Sequence, residues 1–422
     1  MRLTRKFCRL IASAGALSFI FGLIGITSAT TGAFASPFVP GVIDTVAVGS
    51  GPEFISAGSG HVFVSDRYDD TITVIDETSH LVVDSLILPT GVYPRASVVA
   101  NNTLYIATFN GNQLFLYNAT TLQSLGTLTV GLRPNALAVC GNELYVGNYS
   151  SPDVYVIDTS TRTLATGFTN PLSSGLGATQ AICSGNYVYL SNSLSDTVTL
   201  IDRTTHTAVQ SQTVGLNPMS LGVANGSIFV SGYNADTVTV LSATTGTVTA
   251  PPISVGANPS AVATVGNDVY IANEGGSSVD VIDATTNQLA VGFPNPIPNV
   301  AGAHQFIPIG NALYSLNVSG NTISILNTAT HLVDQVIPMS GMPYMGVSSG
   351  EYLYVTDNSA NTVTIIQTDP SPVVPPTPEL PQTGTDMSQL ILGAVLMLGF
   401  GLGLTLTRRI VRNTIQTNTE TV

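Results

Sequence analysis

One pattern of residues recurs eight times between about residues 50 and 366, and it leaves few folds open to the chain. The pattern is Gly-x-x-Pro, a short apolar segment, a Gly/Asn turn, an aromatic-led apolar segment, a loop, and a segment like Thr-Val-x-Val-Ile-Asp, and two copies have Ala in place of the proline. The aromatic positions are Phe63, Tyr105, Tyr145, Tyr189, Phe229, Tyr270, Tyr314 and Tyr354. The proline positions, 11 residues earlier in every copy, are Pro52, Pro94, Pro134, Ala178, Pro218, Pro259, Ala303 and Pro343. A period of 40 to 44 residues with four short strands per copy is typical of a β-propeller.

The turns favour four antiparallel strands in each copy. The first turn is rich in Asn and Gly, as at Asn101-Asn102, and these residues tolerate the positive φ that two-residue hairpins need. The third turn reads Asp-x-Thr-Thr or similar, as at Asp202-Arg203-Thr204-Thr205, and its side chains can hydrogen-bond the turn backbone. The sequence therefore predicts an all-β fold, an eight-bladed β-propeller of four-stranded antiparallel blades.

The ends of the repeat region indicate how the ring closes. The last copy has no fourth strand, because a Pro-rich stretch begins at Pro370. An unassigned strand-like segment, residues 42–48, precedes the first copy and resembles the fourth strands of other copies. We expect this N-terminal strand to complete the eighth blade, which would protect the sheet edges.

Two segments carry a resemblance to a known repeat family. Tyr145-Val146-Gly147-Asn148 and Tyr270-Ile271-Ala272-Asn273 resemble the YVTN repeats of β-propellers found in microbial surface proteins, and the resemblance covers residues 40–368. It implies the fold and says little about activity, because propellers host many unrelated functions. Relatives in that family often have seven blades, whereas this sequence contains eight copies.

The C-terminal region predicts where the protein is located. Leu380, Pro381, Gln382, Thr383 and Gly384 precede an apolar run at about residues 390–406 and then three arginines, an order that resembles the cell-wall sorting signal of Gram-positive surface proteins. The resemblance implies that a sortase cuts after Thr383 and joins it to peptidoglycan. Before sorting, the run would hold the chain in the membrane as a helix with its basic end in the cytoplasm. A permanent membrane anchor is the alternative, and the tail after the run is longer and more polar than usual.

The N-terminal region predicts export. A basic segment and an apolar stretch lead to Ala33-Phe34-Ala35, which fits the small-x-small rule for signal-peptide cleavage; an uncleaved anchor is the alternative. The predicted organisation is a signal peptide (1–35), the propeller (36–368), a Pro-rich spacer (369–379), and the LPXTG motif with its transmembrane helix and basic tail (380–422). The protein is expected to be secreted and covalently anchored to the cell wall.

Charge and cysteine content narrow the function further. The exported part, residues 36–383, has five arginines, no lysine and 23 acidic residues, a formal charge of −18. Such a surface repels phosphate backbones, so nucleic acid is not an expected partner. Cys140 and Cys183 lie near the ends of the first strands of neighbouring copies. They define no disulfide framework, and two buried free thiols are favoured over one bond.

A binding surface is predicted on one rim. The start of each copy and the loop between its second and third strands should lie on the same face, where loops vary while strands repeat. Tyr and Arg in such loops suit a binding surface, although the aromatics could instead merely shield the blade ends. The candidates for ligand binding are Tyr68, Arg95, Phe109, Arg133, Tyr149, Tyr233, His304 and Tyr344.

Evidence for catalysis or metal binding in the sequence is weak, and no cofactor, metal site or catalytic residue is predicted. Glu53, Arg95 and His304 could supply an acid–base group for a lyase or lactonase-like reaction in the central channel. The histidines at one repeat position lie too far apart to share an ion and are interpreted as solvated turn residues; they are His80, His206 and His331. Three aspartates, Asp66, Asp69 and Asp70, could hold calcium but more simply form a charged loop tip.

The predicted function is therefore recognition. The propeller would bind an extracellular glycan or matrix protein at the cell surface, with sortase and peptidoglycan as its other partners. An extracellular enzyme working in the central channel and a passive structural surface component are the alternatives.

Overall fold

The computed structural model describes residues 40–368, which form eight antiparallel β-sheets. The predicted signal peptide, Pro-rich spacer, sorting motif and apolar run lie outside the described residues. Within the described part of the chain, no helix is long and apolar enough to cross a membrane. The eight sheets confirm the prediction of an eight-bladed β-propeller.

Strand β1 (Gly41–Ala47) comes first, and the blades then follow in chain order. Blade 1 contains β2 (Pro52–Gly58), β3 (His61–Asp66), β4 (Thr71–Asp76) and β5 (Val82–Ile87). Blade 2 contains β6 (Pro94–Ala100), β7 (Thr103–Thr108), β8 (Gln113–Asn118) and β9 (Ser124–Thr129). Blade 3 contains β10 (Pro134–Cys140), β11 (Glu143–Asn148), β12 (Asp153–Asp158), β13 (Thr163–Leu164) and β14 (Leu172–Ser173). Blade 4 contains β15 (Ala178–Ser184), β16 (Tyr187–Asn192), β17 (Thr197–Asp202) and β18 (Thr207–Thr213).

The other four blades repeat this arrangement. Blade 5 contains β19 (Pro218–Ala224), β20 (Ser227–Gly232), β21 (Thr237–Ser242) and β22 (Ile253–Ser254). Blade 6 contains β23 (Pro259–Val265), β24 (Asp268–Asn273), β25 (Ser278–Asp283), β26 (Gln288–Leu289) and β27 (Ile297–Pro298). Blade 7 contains β28 (Ala303–Ile309), β29 (Ala312–Asn317), β30 (Thr322–Asn327) and β31 (Leu332–Pro338). Blade 8 contains β32 (Pro343–Ser349), β33 (Tyr352–Asp357) and β34 (Thr362–Gln367).

The first strand of each blade packs against the first strands of its neighbours, which makes it the inner strand of the ring. Every inner strand begins at a proline position of the repeat. Proline is tolerated there because the first residue of a strand need not donate to the ladder.

The N-terminal strand closes the ring as predicted. Strand β1 pairs antiparallel with β34, from Gly41 opposite Gln367 to Ala47 opposite Thr362, so blade 8 has the order β1-β34-β33-β32. A residue near the start of the described chain thus hydrogen-bonds one near its end, and the third strand of blade 8 is not left as an open edge.

The core lies between neighbouring blades. The eight aromatic residues of the repeat are the largest fully buried side chains in the described residues. Each occupies the middle of a second strand, where it packs against its own and an adjacent sheet. Truncating a buried aromatic residue typically costs about 3–5 kcal/mol of unfolding free energy, so the repeated aromatic is the principal element holding the blades together.

A buried polar residue ends the second strand in seven of the eight blades, and in six of them it hydrogen-bonds the start of the third strand. Asn192 shows the pattern: its side-chain amide donates to the hydroxyls of Thr197, at 3.1 Å, and Thr199, at 2.9 Å. The equivalent residues are fully buried, and they are Asp66, Thr108, Asn148, Asn192, Asn273, Asn317 and Asp357. The Asn of the repeat motif therefore positions the loop that follows it.

The prediction of free thiols was wrong. Cys140 and Cys183 form a disulfide bond whose Cα atoms lie 6.0 Å apart. Cys140 is the last residue of β10 and Cys183 is the second-to-last residue of β15. These inner strands are neighbours around the ring axis, which brings the two Cα atoms into the range that a disulfide requires. The spacing along the sequence does not show how close the two inner strands lie in the ring.

The interpretation of three histidines as solvated turn residues was also wrong. His80, His206 and His331 do lie in turns, with φ of 60°, 50° and 57°. Their rings, however, are half-buried against the preceding blade. His206 stacks on Phe168 at 3.9 Å and hydrogen-bonds Glu143, and His331 stacks on Phe293 at 3.9 Å. The imidazoles therefore contribute to the packing between blades.

Candidate ligand-binding face

One rim of the ring carries both the starts of the inner strands and the loops between the second and third strands. Pro52, the first residue of β2, pairs with Asp66, the last residue of β3, and the same pairing recurs in the other blades. We call this rim the upper face. All eight candidate binding residues predicted from the sequence lie on it.

A β-bulge follows the first residue of every inner strand. The register shifts between Pro52 and Phe54 in blade 1 and at the matching point in each other blade. A bulge leaves one residue out of the ladder and re-aims its side chain. The residues after the proline positions are Glu53, Arg95, Asn135, Thr179, Met219, Ser260, His304 and Tyr344.

These residues surround the mouth of the central channel. Seven of them line a cavity of about 230 Å³. One of the seven, Met219, was not among the residues named from the sequence, although it occupies the same repeat position. The complete lining is Phe54, Arg95, Asn135, Thr179, Gln180, Met219, Ser220, Ser260, Ala261, His304, Gln305, Tyr344 and Met345. The lining combines uncharged polar side chains with the apolar side chains of Phe54, Met219, Ala261 and Met345, and it contains one arginine and one histidine.

Glu53 is held by two arginines at the edge of this mouth. Its carboxylate is buried, with Oε2 3.0 Å from the Arg67 guanidinium and Oε1 3.9 Å from that of Arg95. The predicted acid–base group of Glu53, Arg95 and His304 is therefore only partly assembled: Arg95 and His304 line the cavity, whereas the Glu53 carboxylate is engaged with guanidinium groups. A carboxylate so paired is a poor general base, because a base must be free to approach the proton that it takes.

A second group of side chains lies on the same face, over blades 1 to 3, and shares Arg95 with the channel mouth. The ring of Phe109 has three guanidinium carbons around it: Arg133 at 4.8 Å, Arg95 at 4.9 Å and Arg67 at 5.7 Å from the ring centroid. Tyr149 extends the group, with its ring centroid 6.1 Å from that of Phe109. All three contacts with arginine are within the range of cation–π attraction.

We call this group the Phe109 cluster: Arg67, Tyr68, Arg95, Phe109, Arg133 and Tyr149. Tyr68 belongs to it because Arg67 lies 5.6 Å from the Tyr68 ring centroid. The cluster borders a cleft of about 520 Å³ lined by Phe109, Asn110, Gly111, Asn112, Leu132, Arg133 and Ser150. Five of the eight predicted candidates thus come together in space; sequence reasoning named them one by one but not their convergence.

The other three candidates lie on blades 5, 7 and 8. The ring of His304 lies 4.7 Å from that of Tyr344, and its Nδ1 is 3.2 Å from Glu274. Burial raises the pKa of the Tyr344 hydroxyl, and the nearby carboxylate of Glu53 raises it further. Burial also raises the pKa of Tyr233, with the charge of Glu274 as a second cause. His304 and Tyr344 line the channel-mouth cavity together with Arg95, whereas Tyr233 lies outside that lining.

The aspartates of blade 1 do not form the charged loop tip expected of them. Asp66 and Asp70 are buried; Asp70 accepts hydrogen bonds from the backbone amides of Gly91, at 2.6 Å, and Tyr93, at 2.8 Å. Only Asp69 is exposed, and it accepts one from the amide of Ser50. In residues 40–368, no group of three or more His, Cys, Asp or Glu side chains is arranged to hold a metal ion.

Comparison with solved structures shows the fold alone. The computationally designed Ika8 protein matches with a TM-score of 0.63 and 16% identity, covering 76% of this chain and 98% of the designed one. BamB from Moraxella catarrhalis matches with a TM-score of 0.62 and 13% identity, covering 78% of this chain and 100% of BamB. Hydrazine synthase from Kuenenia stuttgartiensis matches with a TM-score of 0.51 and 17% identity, covering 67% and 100%. No curated protein matches the sequence significantly.

A family model identifies the C-terminal region. Residues 372–411 match the LPXTG cell wall anchor motif, and this stretch contains the Leu-Pro-Gln-Thr-Gly segment at 380–384 with the apolar run after it. The motif implies processing by a sortase and attachment to peptidoglycan. The chain is therefore a secreted surface protein that is covalently anchored to the cell wall and carries an eight-bladed β-propeller.

Proposed function

We propose that this protein recognises an extracellular ligand, a glycan or a matrix protein, through the upper face of its propeller. One observation carries the proposal: three of the five arginines in an exported part of charge −18 gather with three aromatic rings on one face, beside an open cleft. A surface that needed only solubility would have no reason to concentrate its few cations there.

The residue types suit recognition. Aromatic residues and Arg are enriched in binding interfaces, whereas Lys and Asp are depleted. Tyr68 is exposed, and Phe109 and Tyr149 are half-buried, so their rings remain accessible while their positions are restricted. Restricted rings lose little entropy on binding, which favours affinity.

The scaffold supports the same function. Strands repeat from blade to blade, whereas the loops of the upper face differ, as expected where function resides. Anchoring to the wall places this face outside the cell, where extracellular glycans and proteins are available. The engagement of Glu53 with Arg67 and Arg95 favours binding over catalysis in the channel.

The test is a binding measurement on residues 36–369, a part that contains all eight blades and closes its own ring through β1 and β34. We expect an array of glycans and matrix proteins to give a reproducible ligand, and Tyr149→Ala to weaken its binding. Tyr187→Ala, at a half-buried tyrosine on the opposite rim, is the control and should bind normally. An array without any ligand, or equal effects of the two substitutions, would argue against recognition by the upper face.

A further inference from the structure

We infer that the Phe109 cluster is a subsite for an acidic saccharide, one that carries a carboxylate or sulfate group. The inference rests on the proposed function and adds to it the chemical class of the ligand. It follows from the charge, the rigidity and the lining of the cleft beside Phe109.

The cluster concentrates three guanidinium groups around the ring of Phe109. Arg67 and Arg95 share one partner, Glu53, while the guanidinium of Arg133 stacks on Phe109 and the residue is exposed. In residues 40–368, the ion pairs of these arginines are with Glu53. Asp66, Asp69 and Asp70 also lie in the loop of blade 1, where their carboxylates accept hydrogen bonds from threonine hydroxyls and backbone amides.

Three guanidinium groups around one ring repel each other, and an arriving anion would relieve that repulsion. Exposed ion pairs contribute little in water, but hydrogen bonds between guanidinium and carboxylate are charge-assisted and among the stronger polar contacts in proteins. The fork of donors on Arg133 suits a planar carboxylate or a sulfate.

The walls of the cleft are held in place by backbone hydrogen bonds between blades 2 and 3. The amide of Arg133 donates to the carbonyl of Gly111 at 3.1 Å, and the amide of Tyr149 donates to the carbonyl of Arg133 at 2.8 Å. The amide of Phe109 donates to the carbonyl of Tyr93 at 2.9 Å. The loops that carry Phe109, Arg133 and Tyr149 are therefore joined before any ligand arrives, which reduces the entropy cost of binding.

The remaining lining favours a sugar over an acidic peptide. Asn110, Asn112 and Ser150 present short amide and hydroxyl groups that match sugar hydroxyls, while Leu132, which is 56% exposed, and Phe109 offer apolar surfaces for the face of a pyranose ring. A cleft of about 520 Å³ has room for one or two sugar units. The cleft therefore combines guanidinium groups for a carboxylate, polar side chains for sugar hydroxyls, and apolar surfaces for stacking on a sugar ring.

The test compares acidic sugars with neutral partners; trigalacturonic acid and its methyl ester isolate the charge, whereas lactose lacks the whole sialic acid unit of 3′-sialyllactose. Calorimetric titration of residues 36–369 with 3′-sialyllactose and lactose, and with trigalacturonic acid and its methyl ester, should show that each acidic sugar binds at least about tenfold more tightly than its neutral partner. Arg133→Gln should remove most of that preference.

Arg162→Gln is the matched control, because Arg162 is exposed on the opposite rim and shares the left-handed backbone of Arg133, with φ of 59° and 55°. It removes the same charge and should leave the preference unchanged. A preference that survives Arg133→Gln, or no binding of either acidic sugar at millimolar concentration, would overturn the subsite.

Two other results separate this inference from the proposed function. If neutral and acidic sugars bind equally and Tyr149→Ala weakens both, recognition by the upper face stands and the acidic subsite is refuted. If an oligoglutamate peptide binds more tightly than both acidic sugars and loses affinity in Arg133→Gln, the ligand class is wrong while recognition by the face again stands. A blank broad array would instead refute the proposed function itself.

Discussion

Asp66 makes the stability of the propeller depend on pH in a way that one substitution should remove. Its side chain is fully buried at the end of the second strand of blade 1. Oδ2 accepts hydrogen bonds from the hydroxyls of Thr71, at 3.1 Å, and Thr73, at 2.6 Å, while Oδ1 has no partner in the described residues. Burial outweighs these hydrogen bonds and raises the pKa of Asp66 from 3.8 to about 6.

The direction of the effect follows from proton linkage. Because the pKa of Asp66 is higher in the folded state, the folded protein binds the proton more tightly than the unfolded chain, and stability falls as pH rises. A difference of about two pKa units, at about 1.4 kcal/mol each, corresponds to roughly 3 kcal/mol. This loss should occur between about pH 4 and pH 6 and persist above pH 6.

Asp66→Asn tests this reasoning, since blades 3, 4, 6 and 7 have Asn at the equivalent position. The amide should donate to the hydroxyls of Thr71 and Thr73, as Asn192 does to Thr197 and Thr199. We expect the variant to be more stable than the wild type by about 3 kcal/mol at pH 7.5 and nearly equal to it at pH 4. For a domain of this size, 3 kcal/mol raises the melting temperature by about 4 °C.

The assay is thermal and urea unfolding of both proteins from pH 4 to pH 8. Asp357→Asn is the control: Asp357 is also fully buried at this position, but its Oδ2 accepts from Ser340 at 2.8 Å and its Oδ1 from the amide of Ala360 at 3.2 Å. That substitution loses an acceptor and should give no gain. If Asp66→Asn is less stable than the wild type, or if its gain in stability is the same at pH 4 and pH 7.5, then burial does not dominate the pKa of Asp66.

Three further predictions concern the ring. Cys140→Ser should lower the unfolding free energy by about 4 kcal/mol, as the chain-entropy account gives for a disulfide of sequence separation 43; a melting temperature insensitive to both the substitution and a reductant would contradict this. Removing β1 should expose the edge of β34 and cause concentration-dependent association in size-exclusion chromatography, whereas a stable monomer would count against closure by that strand. His331→Ala should cost about 2 kcal/mol in urea unfolding, because the ring loses its stacking on Phe293 and a 3.0 Å hydrogen bond to Tyr270; unchanged stability would show that this packing is unimportant.

The architecture could be predicted because it depends on spacing along the chain. The proline and aromatic positions recur at constant separation, and the structure places them at the first residue of each inner strand and in the buried middle of each second strand. The N-terminal strand could be assigned to blade 8 because the last copy lacked a fourth strand. Such features are local, and the repeat that contains them recurs eight times along the chain.

Contacts between blades could not be predicted, because they depend on the curvature of the ring. The disulfide joins residues 43 positions apart. Phe168 and Phe293, on which two histidines stack, lie in segments of blades 3 and 6 that interrupt the repeat. Phe109 was a candidate on its own, but its three arginines come from three different blades. Met219 was not predicted to line the channel mouth because its side chain is apolar, although its position directly after Pro218 in the repeat indicates that location.

We propose that the upper face, and in particular the Phe109 cluster, binds an extracellular ligand. Hydrogen–deuterium exchange of residues 36–369, with and without the tightest ligand found on the array, tests it most directly. We expect slower exchange in the upper-face loops at residues 67–70, 109–112, 132–133 and 149–152, and unchanged exchange in the turns of the opposite rim. Protection confined to the opposite rim or to the outer strands would contradict it.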